Sequence, residues 1–207
     1  VANPNNAPKA IFVSAFDSSP LAPDFDYVLH GKNQDFQKGL DALAKLTTGK
    51  VHLTLNGSVP ADSVFTEAKG VEINKISGKH PAGNVGTQIH HIDPVNKGEF
   101  VWTVNAQDVV MIGRYFLTGK YDARKTIAVT GSEIKNPHYI EVISGTNLSS
   151  LLEGQITSDN VRVISGNVLT GDKVAKDGHL GFYHNQVTVI PEGNQLKFVA
   201  TKGWMGP

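Results

Sequence analysis

Three histidines and a carboxylate, His80, His90, His91 and Asp93, lie within fourteen positions, and imidazole with carboxylate is a zinc donor set. The spacing argues against a metal. Adjacent His90 and His91 diverge on a helix or a strand, and no HxxxH or HExxH pair aligns two rings on one face. Capping, hydrogen bonding and surface exposure are the ordinary uses of such histidines, so no metal ligand is assigned. The run Pro81-Ala82-Gly83-Asn84-Val85-Gly86-Thr87 offers different chemistry. Proline suits the first position of a helix, and free amides near Ala82 to Asn84 would meet an anion or a ring edge. Pro81, Gly83, Gly86 and Thr87 are therefore the candidate ligand turn. Each glycine in such a helix loses about 1 kcal/mol against alanine, which implies close approach to another element or to a ligand. Helix-on-strand packing is the commoner cause.

Other customary signals are missing. Without GxSxG, GxxxxGK[ST] or GxGxxG, acyl, phosphoryl and simple hydride transfer have no motif here, and no catalytic residue is assigned. Gly78-Lys79-His80 is no P-loop remnant. Zero cysteines exclude disulfides, thiolate metal sites and iron–sulfur ligation in this chain. Lysine plus arginine equals aspartate plus glutamate at 19 each, so no broad basic field draws nucleic acid. No apolar run approaches the ~18 residues of a membrane span, and VANPNNAPKA is no signal peptide. The Pro/Asn-rich start and the ending Trp204-Met205-Gly206-Pro207, just after a strand-like run, read as an excised piece.

The elements that must position these residues follow from periodicity. Ala10 to Phe16 is a nearly continuous apolar run, the pattern of a central parallel strand. The loop Asp17 to Asp26 then carries three carboxylates and two prolines where a dinucleotide fold would present glycines to phosphate. That chemistry opposes a nucleotide. Tyr27 to Leu29 reads as a short strand, and Asn33 caps a helix with Phe36, Leu40, Leu43 and Ala44 inward and Gly49 at its end. Strands at Val51 to Asn56, Val71 to Ile73 and Glu99 to Asn105 follow. A second well-marked helix begins at N-cap Asn105, with Asp108 three residues on, buries Val109, Ile112, Gly113, Phe116 and Leu117, and ends at Gly119. Strands alternating with helices imply a mostly parallel sheet with right-handed crossovers.

Beyond Gly119 the rhythm changes. Thr126 to Val129, Tyr139 to Ile143, Val161 to Ile164 and Val187 to Ile190 read as short strands, with one helix at Asn147 to Glu153. The fold class expected is α/β: a Rossmann-like, mostly parallel domain over residues 1–121, then a small β-grasp domain over 122–207, with the boundary near Gly119 to Arg124. Gly145 to Leu148 and Gly166 to Gly171 read as turns, and Arg114 and Tyr115 as solvated helix positions. Phe182, Tyr183, Phe198 and Trp204 read as exposed aromatics marking a face that a missing domain or a partner covers.

Several strings carry a resemblance: Ile11-Phe12-Val13-Ser14-Ala15, Lys45 to Lys50, His80-Pro81-Ala82-Gly83, Gly86-Thr87-Gln88-Ile89-His90, Gln107-Asp108-Val109, Arg114 to Gly119, Asn136-Pro137, Arg162 to Gly166 and Tyr183 to Val187. Over about Ala10 to Gly193 the chain resembles the A-subunit family of the sodium-translocating NADH:quinone oxidoreductases. More distantly it is similar to the C-subunit of Rnf electron-transport complexes and to the flavin-binding subunit of respiratory complex I. The resemblance implies a Rossmann-like domain followed by a soluble-ligand-binding (SLBB-like) β-grasp domain. It implies a peripheral subunit on the cytoplasmic face of the bacterial inner membrane, without a transmembrane span of its own. The complex oxidises NADH, reduces ubiquinone and exports sodium. NADH, FAD, FMN and Fe–S centres are expected in other subunits, ubiquinone is a candidate neighbour of this one, and the membrane-embedded B-subunit is the expected partner. This piece alone is expected to be inactive. The complex I relative holds its flavin with glycine-rich loops that the Asp17 to Asp26 loop lacks, so no flavin site carries over. The alternative is a stand-alone small-ligand or nucleotide-binding redox enzyme using the Pro81 to Thr87 turn.

Overall fold

Two sheets, successive in the chain, organise the protein. The computed structural model describes residues 2–3 and 5–194; the expectations for Phe198 and Trp204 lie outside these residues. The apolar run forms β1, Ala10–Ser14, whose first four residues are buried because both faces are covered. It pairs in parallel with β2, Val51–Asn56, on one side and β4, Val101–Asn105, on the other, and β3, Glu72–Ile76, pairs with β2. The order β3-β2-β1-β4 reverses direction at β1. In such sheets ligand crevices open at the carboxyl ends of the strands flanking that reversal.

Helices follow from caps. Asp24 accepts from the Asp26 and Tyr27 amides and starts α1, Phe25–Leu29, so the strand expected at Tyr27 to Leu29 is a helix. The sequence reading weighed the apolar run and missed the cap. The next helix, α2, is Asn33–Leu43, with Lys32 rather than Asn33 at the N-cap position, and it stops six residues before Gly49. Phe36, Leu40 and Leu43 point inward as expected. After α3, Ser63–Thr66, comes α4, Val85–Ile92, which begins four residues later than a Pro81 start would give. Pro81 instead sits in the preceding turn, so Gly83 and Gly86 do not share a helix face.

The expected cap at Asn105 is present, its side chain accepting from Gln107 N–H, and α5 runs Ala106–Thr118 to Gly119 in the left-handed conformation (φ 70°). The buried face carries Ala106, Val109, Val110 and Gly113, whereas Phe116 and Leu117 are 57% and 42% exposed. Helices α2 and α5 cross at glycines: a Cβ on Gly39 would stand 2.0 Å from Val109 O, and one on Gly113 1.7 Å from Asp35 O.

The second sheet has β5, Arg124–Thr130; β6, His138–Ile143; β7, Val161–Ser165; β8, Asp172–Val174; and β9, Gln186–Pro191, in the order β6-β5-β9-β7-β8. β5 and β9 are parallel at its centre, flanked by antiparallel pairs, and α6, Ser149–Leu152, adds buried Leu152 to the core of this sheet. This is β-grasp order. Strand β8 has three residues, two of them charged, and no alternation for a sequence reading to detect. The cores are separate: Ile11, Leu53 and Val109 belong to one, Ile127, Val163 and Val187 to the other.

Candidate functional site

The loop that follows β1 is tied down by the chain itself. Each of the three acids of the first loop has a backbone donor. Asp17 accepts from Ser19 N–H (2.7 Å), Asp24 caps α1, and Asp26 accepts from Asp62 N–H (2.6 Å). Ser18 ties this loop to the candidate ligand turn: its hydroxyl accepts from Gly83 N–H at 2.8 Å and lies 3.1 Å from His80 Nδ1. A Cβ on Gly83 would be 2.2 Å from Ser18 N, so the turn lies against backbone. Below it, fully buried Gln88 donates to Ser14 Oγ (2.9 Å) and Ala82 O (3.3 Å), while its Oε1 has no partner among the described residues.

The amides that sequence offered to an anion are engaged. Ala82 N–H donates to Lys79 O, Gly83 N–H to Ser18 and Asn84 N–H to Pro81 O. Pro81 is exposed, Gly83 buried, Gly86 exposed and Thr87 half-buried, so the turn does not gather the four residues around one point. A Cβ on Gly86 would meet nothing within 4 Å. His80 faces Ser18, whereas His90 and His91 stack edge to face at 5.3 Å on exposed positions of α4. Among the described residues no group of three His, Cys, Asp or Glu could hold a metal ion. If Gly83 is required for packing, Gly83→Ala will cost about 1–2 kcal/mol by forcing Ser18 away. A urea midpoint unchanged by the substitution would leave ligand contact as the reason for glycine.

The sequence reading missed the polar contacts between the two sheets. Buried Gln107, in the first turn of α5, presents its side-chain amide to β5 as a strand residue would: Nε2 donates to Thr126 O (2.8 Å) and Oε1 accepts from Thr126 N–H (3.0 Å). The same Nε2 lies 3.2 Å from Asn185 Oδ1. Gln186 reaches Pro20 O, and Tyr139 Oη accepts from Asp24 N–H at 2.9 Å. Buried Lys125 donates to Phe182 O (3.0 Å). Burial lowers the Lys125 pKa, opposed by nearby Asp108, and raises that of Asp108, opposed by Lys125. No local pattern announces such long-range partners. Beside this junction an open groove of about 680 Å³ is lined by Asp26, Tyr27, His30, Pro60, Asp62 and Thr126. Its acids are already occupied, since Asp62 bonds Val64 N–H and His30.

A second ordered unit supports the loop before β9. Gly181 N–H donates to Ser165 Oγ (2.8 Å), which lies 2.8 Å from His184 Nδ1. Phe182 and Tyr183 are 51% and 64% exposed above it, as the sequence suggested.

Burial holds the pKa of His184 and of His52, the latter stacked on Phe12, below the ordinary histidine value. On acidification the unfolded chain therefore takes up protons before the native one does. Stability should decline as pH falls below about 6.5 and be nearly level above it. Asp26 and Asp108, raised by burial, act oppositely: their stabilising contribution is present below about pH 4 and is lost as pH rises through their folded values. A urea midpoint that is flat, or that climbs on acidification between pH 7.5 and 5.5, contradicts the histidine assignment.

These features define a class: a parallel α/β domain of Rossmann-like order joined to a β-grasp domain. Family models agree, one described as "NqrA second alpha/beta domain" matching residues 1–121 and one as "NQRA C-terminal domain" matching 126–176. The chain belongs to the NqrA family. It is 39% identical over 203 residues to the A-subunit of the Na(+)-translocating NADH-quinone reductase of Pasteurella multocida, 97% of this chain and 44% of that protein. The A-subunit of the same reductase from Haemophilus influenzae (strain PittGG) is 42% identical over 201 residues, 96% and 44% respectively. The chain thus spans less than half the length of these relatives. A crystal structure of an NAD+-reducing [NiFe]-hydrogenase in the H2-reduced state shares the fold, with a TM-score of 0.57 at 15% identity over 90% of this chain and 41% of that one.

Proposed function

We propose that this chain is a scaffold and docking portion of the A-subunit of a sodium-translocating NADH:quinone reductase, lying at the cytoplasmic face of the membrane and bordering its quinone site. The observation that carries the reading is that the first loop is already engaged: Gly83 is seated on Ser18, and the loop's acids are held by backbone amides. Carboxylates and prolines at that place oppose a pyrophosphate, which wants free amides. In this reading the two parts divide at 1–121 and 122–207; the family models matching 1–121 and 126–176, and the start of β5 at Arg124, support it. No described helix is long and apolar enough to cross a membrane. The partner in this reading is the membrane-embedded B-subunit. NADH oxidation, the flavins and the Fe–S centres belong to other subunits, and the full assembly reduces ubiquinone and moves sodium.

Isothermal titration of the purified chain with NADH, FMN and a soluble ubiquinone analogue tests this. The expected result is no heat from NADH or FMN. Micromolar binding of either would favour a nucleotide-using redox enzyme with the Pro81 to Thr87 turn as its site. Co-purification of the full-length protein with the B-subunit checks the docking role separately.

A further inference from the structure

Among the described residues the two sheets have four edge strands, β3, β4, β6 and β8. Three of them carry charge: Glu72 and Lys75 on β3, Glu141 on β6, Asp172 and Lys173 on β8. Charges on an edge prevent another strand from adding to it. Strand β4, Val-Trp-Thr-Val-Asn, has no charge, no proline and no bulge, and pairs with β1 over all five residues. Phe100, at its start, is 51% exposed.

The ladder tells which groups are open. Ile11 and Ala15 N–H donate to β2, so the even-numbered residues of β1 face β4. In a parallel pair with Phe12 opposite Thr103, the bonds fall on Trp102 and Val104. Val101 and Thr103 therefore turn N–H and C=O outward, and no described group bonds them. In β3 the same kind of edge is flanked by the Lys50–Glu72 ion pair.

We propose that the outer edge of β4 is a docking edge, to which an extended segment of the longer family polypeptide, outside these residues, adds as a further strand of the first sheet. The relatives supply the chain: this sequence covers 44% of their length, and its α/β domain is the second by the family's own description. A strand tethered in the same polypeptide has an effective concentration near millimolar, which a second copy or a separate protein must match in solution. Backbone pairing would supply affinity and the half-buried Val101, Trp102 and Val104 the side-chain fit.

The test is residue-resolved hydrogen exchange on the full-length, monomeric protein, with and without Thr103→Pro. In the unmodified protein the Val101 and Thr103 amides should exchange about a hundredfold or more slowly than at an open edge. Proline at 103 removes an outward N–H without breaking the β1 ladder, so Val101 should lose at least about tenfold of its protection while Trp102 and Val104 keep theirs. Fast exchange at both outward amides overturns the proposal. So does protection that appears only with dimerisation, only in the presence of another protein, or that is indifferent to Thr103→Pro. These outcomes do not depend on cofactor binding, so the scaffold reading stands or falls separately.

Discussion

Replacing Gly113 with valine will lower the stability of the α/β domain by about 4 kcal/mol, near the top of what one core substitution does. The cause is geometric. A Cβ at 113 would lie 1.7 Å from the carbonyl oxygen of Asp35 and 2.7 Å from Gly39 N, and both are helix backbone, which cannot rotate aside as a side chain would. The helices must separate, and the buried face that Phe36, Leu40, Val109 and Val110 share opens with them. For a domain of this size the melting temperature should drop by on the order of 10 °C or more. Gly39→Ala widens the same crossing, so the double variant G39A/G113V should lose less than the sum of the two. Strict additivity in urea titrations, or a loss under about 1 kcal/mol for Gly113→Val, would show that the crossing relaxes freely.

Gln107→Leu should cost about 3 kcal/mol and loosen the two domains from one another. Leucine keeps the bulk of the side chain but leaves Thr126 N–H and C=O, inside the junction, without the donor and acceptor that Gln107 supplies. A buried amide group that loses its partner costs about 1–3 kcal/mol; half-buried Thr126 loses the partners of both its N–H and its C=O at once. The expected readout is separation of a single thermal transition into two, because each domain retains its own core. Gln107→Glu distinguishes pairing from size. A carboxylate accepts from Thr126 N–H but cannot donate to Thr126 O, so about half the loss should persist. If Gln107→Leu melts as the parent does, the amide pairing is incidental to the junction.

Much of the architecture was legible in sequence because it is written in local pattern. The apolar run of β1, the Asn105 cap and Gly119 stop of α5, and the change from helical to strand rhythm after Gly119 each depend on neighbours within a few positions. Where a local signal had a rival, the reading failed. At Tyr27 to Leu29 hydrophobicity suggested strand, and the Asp24 carboxylate, accepting from two amides, made a helix. At Pro81 an N1 preference suggested a helix start, and the Ser18–Gly83 contact held the segment as a turn up to Asn84. The helical spacing of apolar residues in α5 suggested a buried face that runs to Leu117, whereas Phe116 and Leu117 are exposed.

By itself, then, the order of residues determined the elements, their two successive rhythms, the family resemblance and the chemistry missing from the first loop. These rest on side-chain type, backbone propensity and spacing, all local quantities. Only the tertiary structure decided what the unusual residues are for. It assigned Gly83 and Gly113 to backbone contacts, Gln107 to a strand of another domain and Asp26 to the amide of Asp62. Among the described residues it also left β4 as the uncharged edge. Most of these roles are set by groups tens of residues away, and hydrogen bonds and close approaches are decided by distance in space, which spacing along a chain does not encode.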